Sequence, residues 1–396
     1  MTKLEQLIEE LCPNGVEYLK IGEVVNYEQP SKYIVNSTDY NDDFDVPVLT
    51  AGQTFVLGYT NEKSGIYNAS KEAPVIIFDD FTGAFKWVDF PFKVKSSAMK
   101  ILTVNDRKTY IRYIFHVMGH IGYSSTEHKR LWIGLYSAFE IPVPPLPVQS
   151  EIVRILDNFT ELTAELTAEL TARQSQYEYY ASNMFPSIKK SDVKWIELGE
   201  VATVTKLAGF EFTKYVTYSD AGNIIALRGL NVKNGHLVLD DVKYIDNSHL
   251  EMLSRSKLRI GDMLFTYVGT VGQVALIQEN DKYYLAPNVA LVRITDERFL
   301  PEYMMYYFLT DKFKQEQIAK LLQASSMQNI PMEKIRKFKL PLISIEEQRK
   351  TIDILNRFDT LCNDISVGLP AEIEARQRQY EYYRDKLLTF KELIAN

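Results

Sequence analysis

Apolar residues recur along this chain in three rhythms. Short, nearly continuous apolar runs such as APVIIFDDF (73–81) and GDMLFTYVGTVGQVALI (261–277), bounded by Gly, Asn and Asp, predict β-strands. Apolar residues three and four apart in RKTYIRYIFHVMGHI (107–121) and LPEYMMYYFLTDKFKQEQIAKLL (300–322) predict helices. The third rhythm is the tetrapeptide run TELTAELTAELTA (160–172), which sets Leu162, Leu166 and Leu170 one turn apart with Glu161, Glu165 and Glu169 beside them. With no Gly or Pro inside it, this run predicts one long helix. The opening MTKLEQLIEELCPNG reads as an acidic amphipathic helix.

These rhythms occur twice. RQSQYEYY (173–180) returns as RQRQYEYY (376–383), with seven of eight positions the same. Upstream, IPVPPLPVQSEIVRILDNF matches LPLISIEEQRKTIDILNRF, aligning Pro142 with Pro341, Gln149 with Gln348, and Ile155, Leu156 and Phe159 with Ile354, Leu355 and Phe358. YLKIGEVV (18–25) likewise resembles WIELGEVA (195–202). Repeats of this kind signal duplicated architecture. The order is strand-rich region, helix, strand-rich region, helix, with two α/β domains of about 150 residues each. The second helical stretch contains Gly368 and Pro370, which predict a stop and a restart. Two helices that each follow an equivalent domain can bury their apolar stripes against each other as an antiparallel pair, with Tyr177, Tyr180, Tyr380 and Tyr383 packed between them. The predicted regions are 1–140 and 188–339, strand-rich, and 141–187 and 340–396, helical.

Composition narrows the function. Hydrophobic residues at 46% and charged residues at 24% describe a folded globular chain. No apolar run reaches the roughly 18 residues of a membrane helix, and the N-terminus lacks a signal-peptide core, so a cytoplasmic protein is expected. Cys12 and Cys362 are the two cysteines, with no CxxC and no histidine pair near them, which indicates neither a disulfide framework nor a zinc site. His116 and His120 are spaced like helix-borne ligands, but no third ligand accompanies them, and no metal and no cofactor is expected. A net charge of −7 speaks mildly against nucleic acid. Residues 151–180 hold six acidic and two basic side chains, so more than half of that excess sits on one helix. No GxxxxGK[ST], NPPY-like or HExxH motif is present. The Asp pair in FDD (78–80) reads as solvated or turn-capping rather than as a nuclease centre.

Taken in this order, the paired entries, the TAEL repeat, both QYEYY segments and the LGEVATV and FTYVGTVG patterns resemble the specificity subunit of Type I restriction-modification enzymes over the whole chain. The resemblance implies a mixed, α+β fold: two similar α/β target-recognition domains separated by two long antiparallel helices, in a pseudo-twofold internal repeat. It also implies a non-catalytic subunit. Each recognition domain would read one half of an asymmetric bipartite site in double-stranded DNA, the helices would fix the unread spacer, and two methyltransferase subunits, with restriction subunits, would assemble on the chain. One LTAE unit is about 6 Å of helix with about 40° of residual rotation, and one base pair rises about 3.4 Å, so the count of units would set the spacer.

Base and phosphate contacts should come from loops rich in Arg, Lys, Asn, Gln, Ser and Thr. In the first domain the candidates are Thr50, Gln53, Tyr59, Asn61, Lys86, Lys95, Ser97 and Lys100, with His128, Lys129 and Arg130 as the densest basic cluster. In the second they are Arg228, Asn231, Thr266, Tyr267, Thr270, Gln273, Ser325, Ser326 and Gln328. Two other classes stay open at this point: a single-chain nuclease or methyltransferase with diverged motifs, and a coiled-coil scaffold that binds no DNA.

Overall fold

The computed structural model describes residues 2–52, 54–104, 107–123, 129–188, 193–207, 209–322, 329–364 and 367–393. The chain divides into two compact units, residues 1–166 with 372–396, and residues 167–371.

The first unit opens with α1 (Lys3–Leu11), started by a capping box in which Thr2 and Glu5 satisfy each other's backbone N–H. There follow β1 (Glu17–Lys20), α2 (Ile21–Val24), β2 (Val25–Glu28), β3 (Val46–Leu49), β4 (Val56–Thr60), β5 (Val75–Asp79), β6 (Phe85–Val88), β7 (Lys93–Val94), β8 (Met99–Val104), α3 (Ile111–Ile121), β9 (Glu140–Val143) and the start of α4 (Leu146–Met184). An antiparallel sheet of order β2-β8-β5-β6 forms the centre. Strand alternation explains why its sequence is apolar without a break. Ile76, Phe78 and Leu102 face α3, while Val75, Ile77, Met99 and Ile101 face a second layer containing β3 and β7. Lys100 stands on the α3 side of β8, where it is fully buried.

The second unit repeats this plan. It contains β10 (Lys194–Glu197), α5 (Leu198–Val201), β11 (Ala202–Lys206), α6 (Gly209–Tyr215), β12 (Ile225–Leu227), β13 (Val232–Lys233), β14 (His236–Leu237), β15 (Met263–Thr266), β16 (Val274–Leu276), β17 (Tyr283–Leu285) and β18 (Val289–Ile294). Then come α7 (Pro301–Leu309), α8 (Asp311–Phe313), α9 (Met332–Ile335), β19 (Lys339–Leu342) and α10 (Ile345–Asn363), and α11 (Leu369–Leu387) closes the chain. Its sheet order β11-β18-β15-β16 matches β2-β8-β5-β6 strand for strand. In each unit the entry strand pairs antiparallel with the strand that leads into the long helix, β1 with β9 and β10 with β19. The expected α/β domains are thus largely antiparallel. Among the strands of the described residues, two short pairs run parallel, β3 with β7 and β12 with β17.

Helix 300–322, read as one element, is broken. Thr310 adopts an extended backbone and its buried hydroxyl caps the N–H of Phe313, so α7 ends and α8 begins there, followed by a π-helical turn at Lys314–Ile318. The predicted long helix is one element of 39 residues, and the expected break is present: α10 ends at Asn363 and α11 begins at Leu369, directly after Gly368.

The repeated helical segments are exchanged between the units. Val148, Ile152 and Leu156 of α4 are buried in the first unit's core together with Leu388, and Tyr383 of α11 stacks on Phe159. In the second unit Ala181 and Phe185 from the end of α4 share the core with Ile352 and Leu355 of α10, and Tyr177 and Tyr180 meet Phe358.

Candidate nucleic-acid interface

Each unit assembles its candidate loops by the same device. Two strands that run parallel send their next residues out at the same edge. In the first unit β3 leads into Thr50 and β7 into Lys95, and the Lys95 N–H donates to the Leu49 carbonyl at 3.2 Å. In the second, β12 leads into Arg228 and β17 into Ala286, whose N–H donates to the Leu227 carbonyl at 3.1 Å. Stretches separated by dozens of residues, TAGQT with KVKSS and RGLN with the loop after Leu285, are thereby neighbours.

In the first unit Lys95 and Ser97 are exposed, and the Lys95 ammonium lies 5.9 Å from the Tyr40 ring centroid. The Thr50 hydroxyl donates to the Thr54 carbonyl at 2.8 Å and accepts the Gly52 N–H at 3.1 Å. Asn61 is exposed at the end of β4, and Tyr59 and Lys86 are half-buried on strands. Lys129 and Arg130 are exposed. Gln53, His128, Ser325, Ser326 and Gln328 lie outside the described residues.

Three candidates belong to the interior. Lys100 is 0% exposed and its ammonium sits 2.9 Å from the Asp80 carboxylate, because strand alternation points it under the sheet. Asp80 also accepts the Trp132 N–H at 2.8 Å, so it is a buried partner rather than a solvated one, whereas Asp79 caps the turn N–H groups of Phe81 and Thr82. Asn231 is likewise 0% exposed; it accepts the Arg228 N–H and donates to the Val238 and Asp241 carbonyls. Thr266 is buried and closes the β15–β16 turn, donating to the Thr270 carbonyl and accepting the Gln273 N–H. A sequence pattern cannot separate an outward polar residue from one that satisfies a buried turn.

Two of the remaining candidates in the second unit converge. Arg228 and Thr270 line one concavity with Phe212, Tyr218, Leu230 and Asn288. Gln273 is half-buried and accepts the Asn234 N–H, and Tyr267, also half-buried, lies 5.8 Å from the Lys206 ammonium. Tyr218 and Asn288 escaped the loop search. The turn-forming Pro287-Asn288 dipeptide was the available signal, and Asn288 adopts φ +71° there.

His116 and His120 are structural. His116 is buried; its Nε2 lies 2.8 Å from Asp157 and its Nδ1 3.2 Å from the Tyr380 hydroxyl. His120 instead meets Asp385 at 2.9 Å, so the two rings serve different carboxylates. Burial pushes the His116 imidazole below its ordinary pKa despite that carboxylate. Burial would raise Asp157, but the His116 hydrogen bond and the Arg112 charge outweigh it and hold its pKa low. Among the described residues no His, Cys, Asp and Glu group could hold a metal ion, and no helix is long and apolar enough to cross a membrane. Cys12 and Cys362 are buried and free.

Comparison with known proteins gives this arrangement a family. A family model described as the Type I restriction modification DNA specificity domain matches residues 13–173 and again 190–375. The Escherichia coli Type I restriction enzyme EcoR124I/EcoR124II specificity subunit is 40% identical over 98% of this chain and 97% of its own length. A putative type I restriction enzyme specificity subunit of Haemophilus influenzae is 28% identical over 98% of both chains. Among solved structures, the S subunit of a Type I restriction-modification system from M. genitalium has the same fold at a TM-score of 0.57 and 12% identity, covering 94% of this chain and 96% of that one. A chain from a structure concerned with assembly and conformational transition of the type I R-M system reaches 0.60 at 14% identity, covering 95% and 98%. The chain belongs to the Type I restriction-modification DNA specificity family, carries its domain twice, and is a DNA-recognition subunit rather than a catalyst.

Proposed function

We propose that this subunit reads an asymmetric, bipartite site in double-stranded DNA, one half with the region 1–140 and the other with 188–339. The helical regions 141–187 and 340–396 set the unread spacer. They also recruit two methyltransferase subunits, which supply the chemistry, and through them the restriction subunits; the complex works in the cytoplasm. The observation that supports this reading is the duplicated parallel strand pair, at whose outgoing edge both units bring a basic residue, Lys95 and Arg228. In the first unit the exposed Ser97 follows Lys95, with Thr50 on the neighbouring stretch. Asn61, Tyr59 and Lys86 extend the surface, and the exposed Lys129 and Arg130 suit phosphates. In the second, the partly exposed Arg228 follows the pair directly, the exposed Thr270 lines the same concavity, and the half-buried Tyr267 and Gln273 lie between β15 and β16. A duplicated reader suits a two-part site, because each copy can vary its loops without disturbing the other's framework. The experiment is sequencing of methylated DNA from cells that express this chain with methyltransferase subunits. A two-part motif with an unread centre is expected, and methylation at a single continuous motif contradicts the reading.

A further inference from the structure

We propose that Arg228 specifies a guanine in the half-site read by the second unit, an assignment that rests on the DNA-reading role above. Arg228 follows β12 directly and lines the concavity of about 520 Å³ beside Tyr218, Leu230, Thr270 and Asn288. Its guanidinium is held from one side. Nη2 donates to both the carbonyl and the carboxylate of Asp241 at 2.8 Å, and Asn231 in turn donates to that same carbonyl at 2.8 Å. Nε is buried without a partner, and Nη1 has no protein acceptor among the described residues. The side chain is 24% exposed.

This setting suits a base edge better than a phosphate. The Asp241 carboxylate offsets much of the charge that would draw a phosphate, and it repels a second anion. It occupies Nη2 and fixes the direction of the N–H donors of Nη1, which have no protein acceptor among the described residues. A guanine offers two acceptors, O6 and N7, spaced for an arginine in the major groove, whereas adenine places an amino donor where O6 would be. Donor facing donor makes adenine unfavourable, and a side chain already held in place loses little freedom on binding. Exposed cations without a carboxylate clamp serve the backbone instead.

The test uses the assembled complex with its methyltransferase subunits, comparing the methylated motif of the wild type with those of R228A, R228K and D241N. R228A is expected to relax one guanine position of one half-site, so that other bases there are methylated with at least about tenfold less discrimination than in the wild type. The other half-site and the spacer stay unchanged. R228K keeps the charge but not the planar donor held by Asp241 and relaxes the same position, so the result does not depend on R228A assembling. D241N relaxes that position to a smaller degree. An unchanged motif in R228A and R228K, a uniform drop in methylation with the motif retained, or half-sites without guanine each overturn the assignment. If the wild-type complex itself methylates no bipartite site, the DNA-reading role fails, a result distinct from a wild-type motif that is indifferent to residue 228.

Discussion

Phe159 stacks on Tyr383 with ring centroids 5.3 Å apart and planes 17° from parallel, and at the matching place in the second unit Phe358 meets Tyr180 at 5.8 Å. The first unit is therefore closed by the C-terminal copy of the QYEYY segment and the second by the central copy. Removing either ring should loosen the helix pair in its own unit. F159A is expected to cost about 2 kcal/mol, and an F159A/Y383A double-mutant cycle to return about 1 kcal/mol of coupling. Denaturant melts of the four proteins check both values.

Gln149 and Gln348 occupy the same node in each unit. Gln149 accepts from Thr109 and the Tyr110 N–H and donates to the Lys108 and Pro144 carbonyls, while Gln348 accepts the Leu300 N–H and donates to the Arg298 and Ile343 carbonyls. Both are fully buried. Q149A should destabilise by about 2–4 kcal/mol, since several backbone groups lose their partner. Q149L should cost more than Q149A, because alanine leaves room for a bridging water and leucine fills it. The same ranking is expected at Gln348, measured by thermal unfolding.

His116 and Asp157 have neutral counterparts in the second unit, where the Tyr306 hydroxyl donates to Asn356 at 2.5 Å. The groups facing His116 are Asp157, Tyr380, Arg112 and Arg384. Because burial lowers the His116 pKa, the unfolded chain binds a proton there first as pH falls. Stability from this group is present above the ordinary histidine pKa of about 6.5 and declines below it. The depressed Asp157 adds a second loss, which begins near the ordinary carboxylate pKa and is complete only below the folded value. Melting temperature recorded from pH 8 to pH 5 should fall on the acid side in the wild type and fall less in H116Q.

Lys95 and Lys100 stand five positions apart with opposite duties. K100M leaves the Asp80 carboxylate buried without its cation, and a loss of about 3–5 kcal/mol is expected in unfolding experiments. K95A removes an exposed charge and should change stability by less than about 0.5 kcal/mol. In salt titrations of DNA binding by the assembled complex, K95A is expected to reduce the logarithmic slope by about 1 if Lys95 meets a phosphate.

The LTAE run offers a direct test of spacing. Inserting one further unit after Leu170 adds about 6 Å of helix. The methylated motif should then gain about one unread base pair with both half-sites intact. An altered half-site, or the original spacing, contradicts a role for the helix in setting the gap.

Much of this protein is local in origin and could be read along the chain. The duplicated segments, the uninterrupted helix over Leu162, Leu166 and Leu170, the break at Gly368 and the apolar strands all follow from periodicity and from residues whose backbone preferences act over a few positions. The family resemblance rested on that same order of segments. The break at Thr310 was hidden, because the apolar spacing continues through it and only the buried cap on Phe313 marks it.

Which side chains face outward was decided by tertiary structure. Lys95 and Lys100, or Arg228 and Asn231, are near in sequence and similar in chemistry, and only tertiary structure determines which is enclosed: Lys100 lies under the covered sheet, and Asn231 satisfies a buried turn. The pairing of β3 with β7 and of β12 with β17 is non-local, joining strands dozens of residues apart, and it brings Arg228 beside Asn288. The exchange of QYEYY copies has the same origin. Identical segments carry identical local preferences, so their partners are chosen by chain connectivity and by the cores available to bury them.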